Sequence, residues 1–161
     1  MDRTRNLTYN GLIIALTVAI LYFGAFTKSK LSFLAIASFL LAISVIVSGI
    51  KGGILAIVAT DILSFLLIPN LYYKLVFIPI SFYPIIKSLA EKRKYSWALK
   101  YAYFNLSLFA MLIFGKIFLY QNFSSTNLPI FIIVLLIFEL GFYFYDYAFT
   151  KFVFFIVRRI F

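Results

Sequence analysis

The chain has 161 residues, 65% hydrophobic and 12% charged, with a net charge of +10 and neither cysteine nor histidine. Soluble domains carry about twice that share of charge, and a mean hydropathy of +1.06 predicts a chain embedded in a membrane over nearly its whole length. Without Cys or His there are no disulfides, no thiol chemistry, no Cys/His metal centre and no Ser-His-Asp triad.

In chain order, a basic head with Arg3 and Arg5 leads into an apolar run over 7–26. The run is long and lacks a small-residue cleavage site in a polar setting, so it reads as a retained helix rather than a secretory signal. Gly11, Ala15 and Ala19 recur along it every four residues and make a narrow small-residue stripe, of the kind that lets a partner helix approach closely in lipid. A short turn with Lys28 and Lys30 precedes a second span over 31–50, whose serines can bond back to their own helix. Gly49 to Gly53 forms a tight corner, and a third span follows over 52–68, ended by Pro69 and Asn70.

The fourth span, 71–90, contains Pro79 and Pro84. Each proline removes a backbone donor, so this helix is expected to kink or unwind locally. The loop Glu91–Ser96 is the most basic, and a fifth span over 97–120 carries Trp97, Lys100, Asn105 and Lys116. After a polar, uncharged loop, a final run over 128–157 exceeds the roughly 20 residues a span needs. Residues 1–161 therefore read as one integral membrane domain of the all-α class, a polytopic bundle of six transmembrane helices.

The basic residues set its expected orientation. Arg3, Arg5, Lys51, Lys87, Lys92, Arg93, Lys94, Lys100, Lys151, Arg158 and Arg159 fall on the side of the amino terminus, against Lys28, Lys30, Lys74 and Lys116 on the other. By the positive-inside rule both termini are cytoplasmic, the location is the cell membrane, and the basic loops meet anionic lipid. Nucleic acid is not expected, because no polar basic stretch is interleaved with stacking aromatics.

Candidate functional residues are the ionisable groups inside the spans. Asp61 stands near the middle of the third span, about 12 Å from either face. A bare carboxylate there costs at least about 2.5–3.5 kcal/mol unless it meets a partner or a wet cavity. Glu139 lies eleven residues into the last helix, with Tyr143 and Asp146 on the same face at i+4 and i+7. Lys74 and Lys116 can reach toward the acids or extend to the outer surface, and Asn105 adds an amide on the fifth span. Asp61, Lys74, Asn105, Lys116, Glu139 and Tyr143 are thus the expected solute-binding set. Two arrangements satisfy them: ion pairs that lock the bundle, or a cavity that takes a polar solute or proton.

Six short-looped helices, both ends inside, and a first helix bearing Ala15-x-x-x-Ala19 together resemble the substrate-binding S components of energy-coupling factor transporters. The resemblance implies a vitamin-like small-molecule solute bound near the outer face. It also implies a transmembrane coupling subunit packed on Gly11, Ala15 and Ala19, and ATPase subunits that supply energy. This chain has no phosphate-binding loop of its own. It also has no Trp other than Trp97, so stacking on a heterocycle would fall to Tyr72, Tyr73 or Tyr120. The Lys51–Pro69 and Phe82–Lys92 stretches also look like those of small clostridial-type membrane proteins of unassigned function. A non-transport membrane scaffold or assembly protein is the alternative. An intramembrane enzyme is the poorest fit, since no nucleophile stands beside a base and no acids cluster for a metal or other cofactor.

Overall fold

The structure is a computed structural model that describes residues 3–118 and 128–160, with side chains described for 6–114 and 132–159. It is all-helical over those residues. Five helices follow in order: α1 (Arg3–Phe26), α2 (Lys30–Leu67), α3 (Leu71–Ala90), α4 (Ser96–Phe118) and α5 (Leu128–Ile160). All five are long and apolar enough to cross a membrane.

The expected second and third spans both fall within α2, which is divided at Gly49. There the backbone takes φ 72° and ψ 179°, a combination essentially confined to glycine. The chain also folds back at this point. A β-carbon placed on Gly53 would lie 3.1 Å from the Cα of Val45, whereas residues eight apart in an unbroken helix are about 12 Å apart. Close approach of the two arms of α2 therefore depends on Gly53 having no side chain.

The arms of α2 and the helices α1 and α3 share one core. Leu21 of α1, Leu34, Leu41 and Ile57 of α2, and Tyr73 and Phe77 of α3 are all buried in it. Serines join these helices rather than bonding only within their own, as the sequence suggested. Asn10 Oδ1 of α1 accepts from Ser44 Oγ at 2.8 Å and from Ser48 Oγ at 2.9 Å.

Of the kink or local unwinding expected in the fourth span, the unwinding does not occur. α3 stays helical through Pro79 and Pro84, because the carbonyl that Pro84 leaves without its usual i+4 donor is taken over from outside. Ser38 Oγ donates to Ile80 O at 3.0 Å, and Tyr145 of α5 donates to Ser38 Oγ at 2.8 Å. The local defect thus becomes a joint between three helices.

Asn70 caps the start of α3, its side chain accepting from the Tyr73 amide at 3.1 Å. α4 and α5 are attached differently. Within 96–114 of α4 no residue is buried, and α5 is anchored by Phe142 and Phe149, which pack with Ala42 and Tyr83 in a second, aromatic core.

Candidate functional site

Asp61 is half-buried between α2 and α3, and it is poorly satisfied for a carboxylate. Oδ2 accepts from Ser81 Oγ at 3.1 Å, yet the single Ser81 proton is shared with the Ile78 carbonyl at 2.8 Å. Oδ1 is sealed from solvent and has no hydrogen-bond partner among the described residues. A buried acceptor left this way costs about 1–3 kcal/mol, more when charged. The site therefore holds an acceptor with capacity to spare.

Lys74 does not supply the missing partner. It is buried, and its Nζ donates to the Phe65 carbonyl at 3.0 Å while sitting 4.8 Å from the centre of the Phe65 ring. The last turn of α2 leaves carbonyls such as that of Phe65 free, and a cation there is favoured by the helix dipole. Lys74 thus closes the C-terminal end of α2 instead of neutralising an acid.

Glu139 and Asn105 do meet. Asn105 Nδ2 donates to Glu139 Oε1 at 2.7 Å and to the Tyr101 carbonyl at 3.0 Å, with Asn105 on the exposed side of α4. Tyr143, one turn along, is 57% exposed. Glu139 and Asp61 share no hydrogen-bond partner among the described residues: the one is bonded to Asn105 of α4 and the other to Ser81 of α3. Lys116 lies outside the residues whose side chains are described.

The most heavily bonded acid was absent from the expected set. Asp146 of α5 accepts from Tyr83 OH at 2.5 Å, from Lys87 Nζ, and from Lys100 Nζ at 2.6 Å. Lys87 also donates to Thr150 Oγ1 at 2.7 Å and lies 3.4 Å from Glu91. Two lysines that read as topological charges are thus structural, and the side chain of Lys87 is only 3% exposed. The available signal was Asp146 at i+7 from Glu139, together with a lysine three residues inside the end of α3. With both oxygens of Asp146 engaged, the cluster fastens three helices.

The stripe of Gly11, Ala15 and Ala19 lies on the exposed face of α1. A β-carbon on Gly11 would meet nothing within 4 Å. Two open grooves flank α3. One, of about 300 Å³, is lined by Lys30, Leu31, Leu34, Asn70, Tyr72, Tyr73 and Val76 at the start of the helix. The other, of about 410 Å³, lies between α3 and α4 near the opposite end. Neither is lined by Asp61. Among the described residues no cluster of Asp and Glu is arranged to hold a metal. No protein-family model, curated protein or solved structure matches this chain.

Proposed function

We propose that the protein is a six-span subunit of the cell membrane, with both termini cytoplasmic, that binds a small polar solute and moves it with energy supplied by partner subunits. The observation that carries this reading is Asp61: one oxygen is loosely held by Ser81, and the other is buried without a partner. An ionisable group kept so at membrane depth marks a functional site by default. Its spare acceptor fits a donor-bearing solute such as an amine-containing vitamin, a nucleobase or an amino acid.

The fold-back at Gly49 supports a count of six spans, and the distribution of basic residues supports the orientation. The exposed Gly11, Ala15 and Ala19 face suits a transmembrane coupling partner. The solute would reach Oδ1 by parting α2 from α3, since that oxygen is sealed from solvent.

The test is thermal unfolding of the detergent-purified protein across a panel of vitamins, nucleobases and amino acids. A solute of the predicted class raises the midpoint in a concentration-dependent way. A wild-type protein that no donor-bearing solute stabilises would remove the transport reading.

A second reading, a membrane scaffold or assembly factor, is favoured by one observation of its own. The Asn105 and Glu139 pair stands where α4 and α5 meet, with Asn105 exposed and Glu139 partly so. Co-purification with an ATP-hydrolysing complex separates the two, because the transport reading requires it and a scaffold does not.

A further inference from the structure

We propose that the groove between α3 and α4 is a binding site for one anionic phospholipid, whose headgroup meets Arg93 and whose acyl chain lies along Leu99, Ala102 and Leu106. This rests on the membrane-spanning reading above, but not on Asp61 or any solute. The groove is lined from α3 by Ile86, Leu89 and Ala90, from the turn that follows it by Arg93, and from α4 by Leu99, Ala102, Tyr103 and Leu106. Both sets follow helical spacing, so one face of each helix forms a wall.

Arg93 is the one charged residue of this lining, and it sits at the end nearest the α3–α4 loop. Its amide donates to the Ala90 carbonyl at 2.9 Å, which fixes the turn that carries it. The other polar group on the wall is already engaged, since Tyr103 OH donates to the Pro79 carbonyl at 2.8 Å. The depth of the groove is therefore apolar and its mouth is cationic.

The level of the mouth is marked independently. Tyr95 and Trp97 are 66% and 67% exposed beside it, and exposed aromatics of this kind settle at the headgroup level of a bilayer. Arg93 at that level, flanked by exposed Lys92 and Lys94, meets phosphate rather than hydrocarbon.

The experiment titrates phosphatidylglycerol or phosphatidylcholine of identical acyl chains into the full chain in neutral detergent, read by the unfolding midpoint. Phosphatidylglycerol is expected to stabilise at lower concentration than phosphatidylcholine. Arg93→Gln should weaken that lipid about fivefold while leaving phosphatidylcholine unchanged. Ala102→Trp, which fills the groove from an exposed position, should weaken both lipids, and Lys92→Gln with Lys94→Gln should preserve most of the preference.

Equal stabilisation by the two lipids, or a preference that survives Arg93→Gln, overturns the site. So does a double lysine variant that loses as much as Arg93→Gln, because the attraction is then diffuse. Glycerol phosphate acting as well as the whole lipid would show that the groove takes no acyl chain. A chain that stays in solution without detergent would instead overturn the membrane-spanning reading.

Discussion

The first three helices and the last two are held by different kinds of contact. α1, α2 and α3 approach through backbone and small side chains: Gly53 against Val45, Asn10 between two serines, Ser38 on the Ile80 carbonyl. α4 and α5 are fastened through aromatic rings and one carboxylate, with Phe142 and Phe149 around Tyr83 and Asp146 bridging Lys87 and Lys100. Many small contacts make a body that loses little when one is removed. An attachment whose ionic contacts converge on one carboxylate is more sensitive to a single substitution. The candidate ligand group, Asp61, belongs to the first region, while the hub belongs to the joint between the two.

The largest effect should come from breaking the hub. Asp146→Asn leaves the buried Lys87 ammonium with the Thr150 hydroxyl and, as its one remaining charged partner among the described residues, Glu91 at 3.4 Å, and should cost about 3 kcal/mol, the lower end for a poorly compensated buried charge. Trp97 is the only tryptophan and stands on α4. Its emission should therefore change at lower SDS than the loss of total helicity, and a single coincident transition would contradict the division into regions.

Next is Gly49→Ala, which forces a side chain into φ 72° and should cost about 2 kcal/mol. This change weakens the body itself, so the Trp97 and helicity transitions should shift together. Ser81→Ala should cost about 1 kcal/mol, read by the same SDS titration, and leave the Trp97 signal in place. The smallest effect is expected at Asn105→Ala, about 0.6 kcal/mol, typical of one hydrogen bond between helices in a membrane. A loss as large as that of Asp146→Asn would make the exposed pair a second hub.

The helices were largely legible in the sequence because apolar runs and their breakers decide them. α3 spans Leu71–Ala90, as its flanking Pro69-Asn70 turn and basic loop imply, and Gly49 marks the break in α2. Which polar groups meet was much less legible. Lys74 could reach an acid by length alone, but the free carbonyls at the end of α2 lie nearer. Ser38 carries no sequence signal that it would serve a carbonyl orphaned by Pro84, forty-six positions later. Lys87 and Lys100 fit the charge pattern of loops so well that their pairing with Asp146 could not be read from it. Side-chain partners depend on rotation of each helix about its axis, and a chain apolar on all sides gives little periodicity to fix that rotation.

The most direct measurement compares solute stabilisation in Asp61→Asn and Glu139→Gln, using whichever donor-bearing solute raises the wild-type midpoint. Stabilisation should vanish with Asp61→Asn and persist with Glu139→Gln, whose carboxylate is engaged by Asn105 on another face. Retention of the full shift in Asp61→Asn, or its loss only in Glu139→Gln, would contradict the assignment of Asp61 as the group that meets the solute.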